Sequence, residues 1–147
     1  MPVAVVTGSG GLVGSESVRR LVRSGYDVVG VENDMRARFF GPEASTAHVT
    51  AALTREYPEF QSLDVDIRDE TAVERIFAEH GSTIELVVHA AAQPSHDWAA
   101  REPRTDFAVN AWATLNLLEA VRAHAPEPGS SSYPRTRSTA TPPTGCR

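Results

Sequence analysis

Residues 3–14 constrain the fold of this chain more than any other stretch. Val3-Ala4-Val5-Val6 is a continuous apolar run rich in β-branched side chains, and Thr7-Gly8-Ser9-Gly10-Gly11-Leu12-Val13-Gly14 follows at once. A run that is apolar at every position suits a parallel strand buried on both faces. Leu12, Val13, Val18, Leu21 and Val22 then recur with helical period, arginines 19, 20 and 23 take the wet side or the C-terminal end, and Gly25 closes the helix. Asp27 to Glu32 supplies a second strand. Strand, glycine-rich turn, helix and strand form a βαβ unit of about 30 residues. Such a turn holds a pyrophosphate against backbone N–H groups. Gly8 permits the tight turn, Gly11 lets the backbone approach the phosphates, and Gly14 lets helix and strand pack closely. A merely tight βα turn is the rival reading. Against it, the acidic Glu32 stands eighteen positions beyond Gly14, where a ribose would lie.

The alternation continues. Residues 33–45 have turn character and no period, which predicts a loop. Thr46 to Tyr57 reads as a helix stopped by Pro58, Glu59 to Val65 as a third strand, and Glu70 to Glu79 as an amphipathic helix with Val73, Ile76 and Phe77 inside. Ile84 to His89 is a fourth buried strand, Ala90 to Pro94 a small-residue turn, and Ser95 to Arg101 a short helix. Thr105 to Ala123 is the longest helix, with Phe107, Val109, Leu115, Leu117, Leu118 and Val121 predicted on its apolar side. Repeated β-α pairs predict an α/β fold with a parallel sheet and right-handed crossovers. From Pro126 to Arg147 there is no Val, Ile, Leu, Phe or Met, and such a segment is expected to be disordered.

Composition excludes several functions. The net charge of -5 gives no reason to expect nucleic acid or an anionic membrane as partner. No apolar stretch approaches the ~20 residues of a span, and Met1-Pro2-Val3 leads straight into a strand, so a cytoplasmic protein is expected. The single cysteine, Cys146, permits no disulfide, and the histidines and carboxylates show no metal-ligand spacing. All fourteen basic residues are arginine, which excludes any mechanism needing a lysine in this chain.

Glu32 can accept hydrogen bonds from ribose hydroxyls and repel a 2′-phosphate, favouring NAD, with Asn33 as a neighbouring donor. Arg36 and Arg38 argue the other way, since an arginine can accommodate that phosphate. Asp66 could accept from an adenine amino group and the Ile67 N–H could reach a ring nitrogen, although Asp66 alone also reads as a turn residue or helix cap. Ala90, Ala91 and Ala92 let a planar ligand pass close. His89 reads as a satisfied strand-end histidine. His96 and Asp97 could touch a substrate, yet helix capping explains Asp97 equally well. Asn110, near an inward stripe, should have a hydrogen-bond task in the core.

Taken together, Thr7-Gly8-x-x-Gly11-x-x-Gly14, Asp66-Ile67-Arg68-Asp69, His89-Ala90-Ala91-Ala92-Gln93 and Val109-Asn110-x-x-x-Thr114-Leu115-Asn116-Leu117-Leu118-Glu119-Ala120 resemble the extended short-chain dehydrogenase/reductase family. These are NAD-dependent nucleotide-sugar epimerases and dehydratases. Residues 32–41 and 92–98 are similar to its CDP-paratose 2-epimerase (CDP-tyvelose 2-epimerase) branch. The resemblance covers about residues 3–125; Ala113 stands where glycine is common. It implies a Rossmann-like sheet of order 3-2-1-4, truncated before the later strands. It also implies NAD as cofactor and hydride transfer through a transient keto sugar. The cofactor residues it assigns are Gly8, Gly11, Leu12, Gly14, Glu32, Asn33, Asp66, Ile67, Ala90, Ala92, Gln93 and Asn110. The implied substrate is a nucleotide sugar, a CDP-sugar on the branch wording, in full-length relatives that can be homo-oligomers.

The family's Tyr-x-x-x-Lys acid–base pair is missing, since Tyr133-Pro134-Arg135-Thr136-Arg137 ends in arginine. No catalytic residue is therefore assigned, and the chain alone is expected to be inactive. The expected division is an incomplete NAD(P)-binding domain at residues 1–125 and a tail at 126–147 produced by a frameshift. The branch typically continues Ser-Asn-Lys-Val-Tyr-Gly-Asp-Thr-Pro-Asn-Arg-Leu-Pro. GC-rich codons for that stretch, read one frame out, give the Arg135–Arg147 sequence. Two alternatives remain open at this point, a non-catalytic NAD-binding module and a fragment of a UDP-sugar 4-epimerase or NDP-sugar dehydratase. With nothing beyond it, the fourth strand would be an exposed apolar edge prone to aggregation.

Overall fold

The computed structural model describes residues 1–125, so the expected tail, with Tyr133 and Cys146, lies outside the described residues. Four parallel strands, β1 (Val3–Thr7), β2 (Asp27–Val31), β3 (Phe60–Leu63) and β4 (Ile84–His89), form one sheet of order β3-β2-β1-β4. The Rossmann-like strand order 3-2-1-4 expected from the sequence is the observed one.

Strand alternation divides the core in two. Val3, Val5, Val29, Val31 and Ile84 face α4 (Glu70–His80) and α7 (Ala113–His124), packing on Val73, Ile76, Phe77, Ala113, Leu117 and Ala120. Ala4, Val6 and Val28 face the opposite way, against Val18 and Leu21 of α1 (Leu12–Arg23) and Leu53 of α3 (Ala47–Glu56). Every residue of β1 is buried, as its unbroken apolar run requires. Gly30 in β2 marks a close approach, since a Cβ there would meet the Phe60 ring at 2.5 Å and Ser9 Oγ at 2.6 Å.

Two expectations are corrected. Residues 33–45 are not an irregular loop: they hold a short helix, α2 (Met35–Phe40), and a 3-10 turn at Pro42–Ala44. No residue of either is buried, so no hydrophobic period announces them. The long helix is real but interrupted. After α5 (His96–Arg101), α6 (Pro103–Phe107) runs into a π turn at Ala108–Trp112 before α7 begins. Its inward face is Val109, Ala113, Asn116, Leu117 and Ala120, while Phe107, Leu115 and Leu118 are 62%, 47% and 60% exposed. Small residues at 113 and 120 bring α7 close to its neighbours, and the larger apolar residues are left outside.

That reassignment is testable by paired truncation. Leu117→Ala should destabilise by about 2–5 kcal/mol, and Leu118→Ala by under about 0.5 kcal/mol. Urea unfolding of both variants checks it; equal losses would contradict the assigned face.

Candidate functional site

The carboxyl ends of the four strands surround a cavity of about 260 Å³. The turn after β1 contributes Gly8, Gly11, Leu12, Val13 and Gly14, and the segment after β2 contributes Glu32, Asn33, Met35, Arg36, Phe39, Phe40 and Thr46. Asp66 and Ile67 come from beyond β3, Ala90, Ala91, Ala92 and Pro94 from beyond β4, and Val109 from the π turn. Ligands of open parallel sheets bind in such a crevice.

The glycine turn is held by its backbone. Gly8 has φ +66° and donates its N–H to the Val31 carbonyl at 2.8 Å, and a Cβ on it would meet the Ala91 nitrogen at 2.7 Å. A Cβ on Gly14 would run into the Gly8 carbonyl oxygen, so this glycine serves the fit of helix against turn. Gly11 precedes α1 and provides no side-chain cap. First-turn N–H groups have no partner inside a helix, and Leu12 and Val13, which supply two of them, both line the cavity. Their apolar side chains are 84% and 65% exposed at its mouth. Uncapped amides, a helix dipole and missing Cβ atoms fit a pyrophosphate.

Glu32 half closes the turn. Its carboxylate accepts from the Gly10 N–H at 3.0 Å and the Asp34 N–H at 2.9 Å. Each oxygen keeps a second acceptor site, enough for two hydroxyl donors. Asp34 adopts the left-handed conformation (φ 51°) and receives Ser45 Oγ–H at 2.6 Å and the Thr46 N–H at 2.7 Å. Burial opposes its ionisation, but these bonds outweigh it and hold the carboxyl below the usual range.

Asp66 lines the cavity, yet its carboxylate is gripped by Arg68, whose Nε donates to both oxygens at 3.0 Å and whose backbone N–H adds a bond at 2.9 Å. Burial would raise its pKa; the Arg68 bonds, with the charges of Arg68 and Arg38, bring it below the ordinary value instead. Asn116 on α7 supports this turn from behind, donating Nδ2–H to the Ile67 and Arg68 carbonyls at 3.2 and 3.3 Å.

Gln93 and Asn110, assigned to the cofactor by the family resemblance, are not among the residues that line the cavity. Asn110 Oδ1 accepts the Gln93 N–H at 2.9 Å, and its Nδ2–H donates to the Gln93 carbonyl and to Asp106 at 3.0 Å. The Gln93 carboxamide holds both backbone groups of Ser95 and also Asp106. Their polar atoms are consumed in a clamp that shapes the segment after β4. Asn110 thus has a hydrogen-bond task, but as an exposed residue and not in the core where the sequence reading put it. Arg36, weighed in the sequence as a 2′-phosphate ligand, does line the cavity, and Met35, Phe39, Phe40 and Pro94 line it from stretches that the sequence marks only by family wording; Thr46 carries no sequence signal for the site. His96 and Asp97 are exposed and outside the cavity, and Ser95 caps their helix through the Trp98 N–H at 3.3 Å. Among the described residues no group of side chains could hold a metal ion. Among the same residues no helix is long and apolar enough to cross a membrane.

His89 is satisfied on both ring nitrogens. Thr7 Oγ1 accepts the Ala91 N–H at 3.2 Å and pairs with Nδ1 at 2.7 Å. Thr114 donates its hydroxyl to the Asn110 carbonyl at 2.8 Å and so accepts from Nε2 at 3.1 Å. This directed chain assigns the proton to Nε2 and uses the neutral ring.

Comparison with known proteins gives a consistent result. The model of the NAD dependent epimerase/dehydratase family matches residues 4–142. UDP-glucose 4-epimerase of Bos taurus is 31% identical over 121 residues, 82% of this chain and 34% of that protein. The solved UDP-glucose 4-epimerase of Thermus thermophilus, a complex with NAD, superposes with a TM-score of 0.63 at 33% identity, over 84% of this chain and 34% of that one. That of Thermotoga maritima, with UDP-glucose, gives 0.64 at 31% identity, over 82% and 34%. The chain therefore spans about a third of the length of the curated relatives it matches.

Burial lowers the pKa of His89 from its ordinary value. The unfolded chain then binds this proton more readily, so the stability carried by the neutral ring is full above about pH 6.5 and declines as pH falls below it. Asp34 and Asp66, shifted below the carboxylate range, surrender their contributions at lower pH still. His89→Gln should therefore flatten the fall in thermal midpoint between about pH 7 and about pH 5. An unchanged slope would show that His89 is not the titrating group. Because the ring edge is exposed, the effect is modest.

Proposed function

This chain belongs to the NAD dependent epimerase/dehydratase family, and from that premise we propose that residues 1–125 are the NAD-binding part of an enzyme that epimerises a nucleotide sugar. The observation carrying the proposal is the start of α1, which has no side-chain cap and whose first residues, Leu12 and Val13, line a cavity shared with Glu32 and Asp66. When bound, NAD supplies a hydride acceptor and donor. Gly8 and Gly14 hold the turn against its neighbours, Gly11 lets the backbone approach the pyrophosphate, and the first turn of α1 complements its charge. Glu32 and Asn33 take the adenosine ribose, and Asp66 and Ile67 stand at the adenine. Ala90 and Ala92 leave a smooth passage toward the reacting ring. Gln93 and Asn110 act one step removed, by fixing that passage.

For the substrate, the wording of residues 32–41 and 92–98 supports a CDP-sugar of the paratose type. A second reading, a UDP-sugar 4-epimerase, is favoured by the UDP-glucose 4-epimerases at 31–33% identity. The acid–base pair of the reaction belongs to no residue of this chain, and the proposal assigns residues 126–147 to a displaced reading frame. An alternative frame beyond codon 125 that encodes an Asn-Lys-Val-Tyr-Gly-Asp-like stretch would support that origin; its absence would remove it.

Calorimetric titration of the 147-residue chain should show NAD binding tighter than NADP binding. Glu32→Gln should narrow that preference by about tenfold, because it removes the like-charge repulsion of the 2′-phosphate. The chain should turn over neither CDP-paratose nor UDP-glucose. Equal affinities for NAD and NADP, or turnover by the chain alone, would contradict the proposal.

A further inference from the structure

The sheet order places β1 between β2 and β4. Any contact between the segments following β2 and β4 must therefore cross the carboxyl end of β1 and its glycine turn. One such contact exists. The Phe39 and Trp98 rings lie 4.7 Å apart, tilted by 59°, and Trp98 Nε1–H donates to the Phe39 carbonyl at 3.0 Å. Among the described residues this is the one hydrogen bond joining the two segments. Phe39 lines the cavity and Trp98 backs it from outside.

Both footings of this bridge are fixed. On one side the Asp34 carboxylate binds Ser45 and Thr46, so residues 34–46 form a closed loop with Phe39 near its tip. Phe40 packs edge-on against Phe39 at 6.2 Å, and the Arg36 guanidinium lies 5.9 Å from the Phe40 ring centre. On the other side Gln93 holds both backbone groups of Ser95, and Ser95 caps the helix that carries Trp98. The footings are tied by several polar bonds, whereas the span between them is one aromatic pair and one hydrogen bond. The weak element is the span.

We propose that Phe39 and Trp98 form a strap over the glycine turn that must part to admit or release the dinucleotide, with Trp98 as the positioning residue that holds Phe39 closed. The inference rests on the reading that the cavity takes NAD. A dinucleotide running from Glu32 and Asp66 to Ala90 and Ala92 passes between the β1 turn and this span. The strap then governs the rates of exchange more than the affinity.

Stopped-flow measurement with NADH on the 147-residue chain separates the two. Trp98→Ala, which loses ring and donor, should speed NADH release by about tenfold, and Trp98→Phe, which keeps a ring, by about threefold. Association should quicken in the same order, so that the dissociation constant moves less than either rate. A purely structural role would lower the melting temperature and leave both rates alone. Wild-type binding with unchanged rates in both variants would overturn the strap and leave the NAD reading standing. Failure of the wild-type chain to bind NADH at all would overturn the NAD reading, and the strap with it.

Discussion

Gly8 sits where three strand ends meet. Its N–H is spent on the Val31 carbonyl of β2, its left-handed φ turns the chain out of β1, and the place of its missing side chain is taken by the backbone of Ala91 after β4. With any other residue the turn, the direction of α1 and the seating of the post-β4 segment would shift together. The Gly8 carbonyl then receives the Gly11 N–H at 2.9 Å and lies against Gly14, which sets the first turn of α1 over the cavity. Packing of the sheet and geometry of the site are thus the same constraint seen from two sides.

The polar side chains around this point are used mainly to shape loops. Asp34 closes the segment after β2, Arg68 and Asn116 brace the turn after β3, and Gln93 with Asn110 folds the segment after β4. His89 links Thr7 at the end of β1 to Thr114 at the start of α7, so the sheet end and the helix behind it share one hydrogen-bond chain. These loop side chains find their partners in this way, whereas Ser9 Oγ, buried in the glycine turn, has none; the cavity is left with largely apolar walls, the uncapped start of α1 and one partly free carboxylate at Glu32. That combination discriminates by charge and by backbone approach.

Much of this was legible in residue order. The fully buried β1 announces itself by four apolar residues in succession, and the turn by glycines whose spacing matches their contacts. The strand order followed from the family resemblance, which the family match, the topology and the superposed structures bear out at the level of NAD dependent epimerases and dehydratases. The preference for a CDP-sugar rests on residue wording alone. Residues 35–44 were illegible because they bury nothing and so carry no period. The inward face of α7 is only partly legible because Ala113, Asn116 and Ala120 share it with Leu117: close packing against α4 and the sheet selects small side chains, and Leu115 and Leu118 are left outside. For Gln93 and Asn110 the motif marks a neighbourhood and leaves open which atoms face a ligand; their polar atoms bond to each other, Ser95 and Asp106. The Phe39–Trp98 bridge had no signal at all, being 59 positions apart in sequence.

The central claim is that a dinucleotide lies over the β1 turn with its phosphates on the first amides of α1. Mapping amide resonances of the isotope-labelled chain during NAD addition tests it most directly. The account predicts saturable shifts at Gly8 to Gly14, Asp34, Ile67 and Ala90 to Ala92, with Glu74 and Ala123 unmoved. Shifts confined to other regions, or none at saturating NAD, would contradict it.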